Sequence, residues 1–296
     1  MSWVERAFLQ VDGLRYGVTT LPAATAKAGS VPGRVVLLHG FAGSSEDWAT
    51  VAPGIAAEGF QVLGIDLPGH GATELPSESD RYGMARTVRD LAAMLPALGH
   101  GDAHWHGYSM GGRVALALAL SEPARVVSLS LESASPGIAE ESVRAQRCAE
   151  DEHLAEAIEL KGIDWFAAHW EGMPIFETQR QLPEPVLAAQ RARRLQNRTA
   201  GLAGSLRELG QGAQPFFGGR LGAISGRALL LAGALDPKYQ AIARSMASAI
   251  PDAELQVIAD AGHNVHLERP EAFLRALLDR LHRWDRAGLA SAQALR

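Results

Sequence analysis

Glycines at positions 107 and 111 enclose Ser109 in the run His106-Gly107-Tyr108-Ser109-Met110-Gly111-Gly112-Arg113, and no other feature constrains the fold of this chain as strongly. An apolar run, Ala103 to Trp105, leads into it, and an Ala/Leu/Val run, Val114 to Leu120, leaves it. The order reads as strand, sharp turn and helix, with Ser109 at the apex. A turn that tight admits no Cβ on either side, which explains the flanking glycines. The serine hydroxyl would then stand at the top of a sheet. The N–H of Met110, at the start of the helix, would point at any oxyanion formed there. A bare G-x-S-x-G is common in a chain with 31 glycines. Between a buried strand and a buried helix it marks Ser109 as a candidate catalytic serine.

Its partners are expected in the chain order serine, acid, histidine. Arg227 to Gly233 is a short buried-strand pattern with Asp236 just beyond it, and Ala253 to Ile258 is another, followed by Ala261-Gly262-His263-Asn264. Asp236 and His263 therefore fall in loops on the same sheet edge as Ser109. A neutral imidazole takes the serine proton, while the carboxylate fixes its tautomer and stabilises the imidazolium. Asp236 can also cap the helix that begins near Pro237-Lys238. Glu132, at the end of the strand Val126 to Leu131, is the rival acid, and Asp236 is preferred. Asp260 lies too close to His263 in sequence to reach its outer nitrogen easily. His263 is preferred to His266 because Gly262 supplies its turn. His106 reads as a packed core histidine. His39, in Leu38-His39-Gly40-Phe41, reads as a brace for the oxyanion loop, with the N–H of Phe41 as the second oxyanion donor.

At 296 residues with 47% apolar residues, the chain can form one large α/β domain with an insertion, or two small domains. A formal net charge of −5 carries no bulk signature of a nucleic-acid partner. The N-terminus lacks the pattern of a signal peptide, and no apolar run approaches a membrane span. The single cysteine, Cys148, excludes an internal disulfide framework and suits a reducing cytoplasm. No Cys/His cluster has metal-ligand spacing and no glycine-rich loop resembles a nucleotide site, so neither metal nor cofactor is expected. Nothing selects between a monomer and a small homo-oligomer.

Along the chain, Phe8 to Val11 and Arg15 to Thr19 flank Asp12-Gly13, a hairpin signal. Lys27 to Gly33 is a small-residue connector. Strand Val35 to Leu38, helix Glu46 to Ala57, strand Val62 to Ile65 and helix Met84 to Leu95 precede the serine turn. This alternation implies a mostly parallel sheet with helices on both faces. After Ser135-Pro136-Gly137 the rhythm breaks into helices, then resumes at Ala228 and ends with helix Pro270 to Trp284. Residues after Ala287 read as a frayed tail. The expected organisation is a core of residues 1–134 and 216–296 with a helical lid, 135–215, inserted after the sixth strand.

Arg113 lies one helical turn after Ser109, on the same face. A cation near a helix N-terminus is electrostatically unfavourable, so its guanidinium is expected to serve something, and a substrate carboxylate is the expectation. Arg144 and Arg147 follow in the insertion, then Arg191, Arg193, Arg194 and Arg198.

With these residues the chain resembles the 2-succinyl-6-hydroxy-2,4-cyclohexadiene-1-carboxylate synthases, lyases of menaquinone biosynthesis within the α/β-hydrolase superfamily. The resemblance runs from Leu38 to about Phe273. It rests on Leu38-His39-Gly40-Phe41, Ile65-Asp66-Leu67-Pro68-Gly69-His70-Gly71, the serine turn through Arg113, Leu131-Glu132 with Ser135-Pro136-Gly137, and Arg144-x-x-Arg147. Trp170 with Pro174-Ile175-Phe176, Asp236-Pro237-Lys238-Tyr239 and Ala261-Gly262-His263-Asn264-Val265-His266-x-Glu268-x-Pro270 complete it. It implies an α/β-hydrolase fold, Ser109, Asp236 and His263 as triad, and Phe41 and Met110 as oxyanion donors. It further implies Arg113, Arg147 and one arginine of Arg191 to Arg194, with Arg194 preferred to Arg191, as carboxylate binders, and Tyr108, Trp170 and Lys238 as pocket residues. The implied partner is a small polycarboxylate from which pyruvate is eliminated, with Ser109 as base. An ester or carbon–carbon bond hydrolase using the same triad as nucleophile is the alternative.

Overall fold

A computed structural model describes residues 5–24, 33–224 and 226–294, with Glu5 and residues 285–294 as backbone only. Lys27 to Pro32, most of the expected small-residue connector, lie outside the described residues. The first two strands, β1 (Glu5–Val11) and β2 (Leu14–Leu21), form the expected antiparallel hairpin. Asp12 and Gly13 turn it with φ of 45° and 83°, the left-handed pair whose twist matches that of the flanking strands.

The remaining strands are β3 (Arg34–Leu38), β4 (Gln61–Ile65), β5 (Ala103–Tyr108), β6 (Val126–Glu132), β7 (Arg227–Gly233) and β8 (Ala253–Ile258). All eight join one sheet in the order β1-β2-β4-β3-β5-β6-β7-β8. Pairing is antiparallel through the β2–β4 contact and parallel from β4 to β8. Every residue of β3 and β5 is buried, as expected for strands covered on both faces.

Helices α1 (Ala52–Ala57), α2 (Met84–Ala97), α3 (Met110–Ser121), α4 (Glu141–Glu171), α5 (Glu184–Leu195), α6 (Thr199–Leu209), α7 (Pro237–Ala249), α8 (Val265–Glu268) and α9 (Pro270–Ala294) follow in chain order. Side chains of α2, α3 and α7 pack one face of the sheet, through Leu91, Val114, Leu118 and Met246. Those of α1 and α9 pack the other, through Ile55, Phe273, Leu277 and Leu281, with Trp48 beneath them. The helix expected over Glu46 to Ala57 is two pieces, a 3₁₀ segment Ser45–Thr50 and then α1. Pro53 explains the break: it has no N–H to donate back into the first piece and is at home in the first turn of a new helix. Helical backbone in α9 continues to Ala294, past the point where the composition reads as a frayed tail.

Between β6 and β7 the described residues include helices and loops but no strand. Gly162, at φ 84°, kinks α4, and a 3₁₀ segment Pro174–Gln181 separates it from α5. Phe166 of α4 and Leu202 and Leu206 of α6 enclose a small core that also takes in Ala42. Arg207 of α6 clasps Glu152 and Glu159 of α4. The second half of this insertion is tied to the sheet's loops. Arg193 Nε donates to Asp47 at 2.8 Å, and Asn197 donates to the carbonyl of Ala42 at 2.9 Å while accepting from the N–H of Gly71 at 3.3 Å.

Candidate active site

The strand-to-helix turn is built as its glycines require. Ser109 sits at φ 50°, ψ −107°, a conformation that a residue with a side chain adopts only when its surroundings impose it. Its N–H donates to the carbonyl of Glu132 at 2.8 Å, and its carbonyl accepts from the N–H of Arg113 at 3.1 Å. A Cβ at position 107 would collide with the carbonyl of Gly111, and one at 111 with the carbonyl of Leu38. The turn is thus wedged between β3 and its own helix.

Three side chains converge there. His263 Nε2 lies 3.2 Å from Ser109 Oγ, and His263 Nδ1 lies 2.8 Å from Asp236 Oδ2. With Nδ1–H donating to the carboxylate, Nε2 keeps its lone pair for the serine proton. Asp236 also caps α7: its Oδ1 accepts the N–H of Tyr239 at 3.1 Å. The bond to His263 and the cap thus coexist on one carboxylate. The His263 turn is clamped by Glu268, which accepts the N–H groups of Gly262 at 2.7 Å and Asn264 at 3.2 Å.

The rival residues occupy other posts. Glu132 is fully buried beneath the turn and accepts from the N–H of His266 at 3.1 Å and from its Nδ1 at 2.9 Å, with His106 Nε2 3.3 Å away. Burial pushes this carboxyl up, but the imidazoles of His266 and His106 outweigh that and hold it down at about 2. His106 pairs with Ser130 Oγ at 3.0 Å, a core histidine as expected, and burial lowers its pKa. The ring of Tyr108 separates this buried group from the triad, 5.1 Å from His266 and 5.5 Å from His263. His39 accepts the N–H of Leu67 at 3.0 Å and donates to the carbonyl of Gly40 at 2.7 Å, bracing the loop that carries Phe41. Asp260 is exposed.

Ser109 opens on a cavity of about 950 Å³, walled by Phe41, Tyr108, Met110, Trp170, Phe176 and Tyr239, with Arg113, Arg147 and Lys238 among its polar lining. Met110 begins α3, so its N–H has no acceptor within the helix. Arg113 is only 5% exposed, and burial lowers its pKa to about 10. Its Nη1 donates to the carbonyls of Leu209 at 2.9 Å and Gly210 at 3.3 Å, and to Gln214 at 3.1 Å. Those carbonyls are the C-terminal end of α6, where the helix dipole favours a cation. The expectation that this guanidinium serves a substrate and not the fold is therefore corrected: it fastens the serine helix to the insertion. Arg147 donates through Nε to Asp151 at 2.8 Å and through Nη1 to Gln211 at 3.0 Å.

Arg194 is absent from the residues lining this cavity. It is buried, its guanidinium 5.8 Å from the Phe176 ring and bonded to Glu171 at 3.3 Å. Arg191 bonds to the same glutamate at 2.7 Å and lines a separate pocket with Arg194. Both guanidiniums are thus bonded to Glu171, and neither is among the residues that line the serine's cavity. Sequence reasoning also passed over Gln211 and the wall residue Leu154, which carry no motif, and over Glu268 and Tyr239, which lie within quoted motifs without an assigned role. Among the described residues, no group of three or more His, Cys, Asp or Glu side chains could hold a metal ion, and no helix is long and apolar enough to cross a membrane.

A family model for the α/β hydrolase fold matches residues 33–270. Over 262 residues the chain is 36% identical to a Bacillus subtilis (strain 168) protein provisionally named 2-succinyl-6-hydroxy-2,4-cyclohexadiene-1-carboxylate synthase, covering 88% of this chain and 93% of that one. Over 244 residues it is 33% identical to the Salmonella agona (strain SL483) protein of the same name, covering 82% and 91%. The solved structure of MenH from S. aureus aligns with a TM-score of 0.85 at 31% identity, covering 90% of this chain and 98% of that one.

Proposed function

Because this chain belongs to the 2-succinyl-6-hydroxy-2,4-cyclohexadiene-1-carboxylate synthases of the α/β hydrolase fold, we propose that it eliminates pyruvate from 2-succinyl-5-enolpyruvyl-6-hydroxy-3-cyclohexene-1-carboxylate in menaquinone biosynthesis. The observation that carries this reading is the hydrogen-bonded line Asp236–His263–Ser109 opening on a cavity that also holds Arg113, Arg147 and Lys238. Cations matched to carboxylates would orient a polyanion so that one ring proton faces the serine.

His263 takes the Ser109 proton, and the serine oxygen removes the proton from the ring carbon that bears the succinyl group. The released electron pair moves into the succinyl carbonyl, giving an enolate whose negative charge sits on that oxygen. The N–H groups of Phe41 and Met110 would receive that charge. As this enolate collapses, its electrons form a new ring double bond conjugated with the restored carbonyl, and the existing ring double bond shifts by one position. The ring C–O bond to the enolpyruvyl group breaks, and the departing enolate takes up one proton to become pyruvate. Nothing is oxidised or reduced and no bond to the enzyme forms. Tyr108, Trp170 and Lys238 would shape the pocket around the ring. We assign residues 135–215 as a lid over a core of residues 1–134 and 216–296, working in the cytoplasm as a monomer or small homo-oligomer.

The test is product analysis. The purified chain is incubated with the enolpyruvyl substrate and, separately, with a panel of simple esters. Pyruvate release well above any ester cleavage is expected. Ester cleavage without pyruvate release would make the chain a hydrolase using the same triad as nucleophile.

A further inference from the structure

One corner of the cavity carries a chain of hydrogen bonds whose direction elementary chemistry fixes. Arg147 Nη1 lies 3.0 Å from Gln211 Oε1, and Gln211 Nε2 lies 2.8 Å from the hydroxyl oxygen of Tyr239. A guanidinium can only donate, so the oxygen of the Gln211 amide must face Arg147. The amide nitrogen therefore faces Tyr239 and donates to it. The phenol oxygen is an acceptor in this contact, which leaves its own proton to be given elsewhere.

The phenol is placed where that proton matters. Tyr239 is 3% exposed, yet it lines the same cavity as Ser109, Arg113, Arg147 and Gln211. Its ring packs edge-on against His263 at 4.5 Å. Its backbone is held by Asp236 Oδ1, so the loop that positions the triad acid also positions the phenol. Burial raises the Tyr239 pKa, with Arg113 nearby pulling the other way, so the hydroxyl keeps its proton at neutral pH.

We propose that the Tyr239 hydroxyl is a substrate-binding donor, aimed by the Arg147–Gln211 pair at a carboxylate oxygen of the ligand bound beside Ser109. The proposal rests on the elimination reading for the identity of that ligand, while the donor geometry stands independently of it. Tyr239 completes, with Arg113 and Arg147, a corner suited to one carboxylate group: two cations and a phenol. Gln211 touches no substrate in this scheme and acts through Tyr239.

Three variants test it: Tyr239→Phe, Gln211→Glu and the double variant. The readouts are kcat and KM for pyruvate release, succinate affinity by calorimetry, and melting temperature. Tyr239→Phe keeps the ring and removes the donor, so kcat/KM and succinate affinity are expected to fall about tenfold or more with little change in melting. Glutamate at 211 accepts from both Arg147 and Tyr239, which turns the phenol proton away from the cavity and should give a comparable loss. The double variant should then be no worse than Tyr239→Phe. Wild-type kinetics and succinate affinity in Tyr239→Phe would overturn the proposal. Additive losses in the double variant would overturn the relay, because glutamate would then be acting by charge repulsion. A wild type that binds succinate but releases no pyruvate would retire the elimination reading and leave the donor role to be judged on succinate affinity. A wild type that does neither would overturn both.

Discussion

Asp236 gives one carboxylate oxygen to His263 and the other to the N–H of Tyr239, and this division sets what its replacement should do. Asn at 236 keeps an oxygen that can cap α7, but it cannot hold His263 in the required tautomer with a charge behind it. Asp236→Asn, Ser109→Ala and His263→Ala are each expected to lower turnover by about two orders of magnitude or more, with folding intact by circular dichroism. Near-normal turnover in Asp236→Asn together with collapse in Glu132→Gln would mean that the wrong acid has been chosen. Arg113 is a different case, since its Nη1 satisfies two carbonyls at the end of α6. Removing it leaves buried acceptors without a donor, so Arg113→Ala should cost about 1–3 kcal/mol of stability in addition to any loss of activity. Urea unfolding and steady-state kinetics on one preparation separate the two effects. Unchanged stability would show that its bonds to α6 contribute nothing.

At the scale of elements, the serine turn and the insertion depend on close contacts. A methyl at Gly111 would meet the carbonyls of Leu38 and His39 at the end of β3. Neither oxygen can retreat without breaking the sheet, so Gly111→Ala is expected to destabilise by about 1–3 kcal/mol or prevent folding. Expression and thermal melting decide it, and a normally stable variant would show that the turn has slack. Asn197 joins the insertion to two loops of the core, through the carbonyl of Ala42 and the N–H of Gly71. Ala42 follows Phe41 and sits at φ 62°, a strained position that this bond helps to hold. Asn197→Ala should therefore lower kcat more than it raises KM, because the loop that carries Phe41 loosens while the cations lining the cavity stay in place. A pure KM effect would place Asn197 outside the chemistry.

For the molecule as a whole, burial of titratable groups sets the response to acid. Burial lowers the His70 pKa from 6.5 to about 3, and Glu132 stands at about 2 against an ordinary 4.5. Below pH 6.5 the unfolded chain takes up a proton that folded His70 refuses, so stability falls as pH drops from 6.5 toward 3. The Glu132 contribution is full above 4.5 and is lost as pH falls through 2, in the same direction. His70→Asn is expected to flatten the stability profile between pH 6.5 and 3 when urea melts are compared, and an unchanged slope would remove His70 from the account.

How much of this was legible beforehand follows from the range of each interaction. Ser109, Asp236 and His263 could be found because each lies just past a strand whose apolar pattern is local. The hairpin was legible because Asp12-Gly13 is a turn on its own. The Gln211–Tyr239 contact and the Glu132–His266 pair join residues far apart in the chain and leave no periodic trace. The bond from Arg194 to Glu171 was illegible for a related reason: a run of arginines announces charge, while the partner each one finds is set only in three dimensions.

The central claim is that Ser109 acts as a base and never carries the substrate. It is tested most directly by intact-mass spectrometry of enzyme quenched during turnover, run beside substrate deuterated at the ring carbon that bears the succinyl group. The account predicts enzyme of unchanged mass and a primary isotope effect on pyruvate release. A substrate-derived mass on Ser109 that appears and decays at the turnover rate would contradict it.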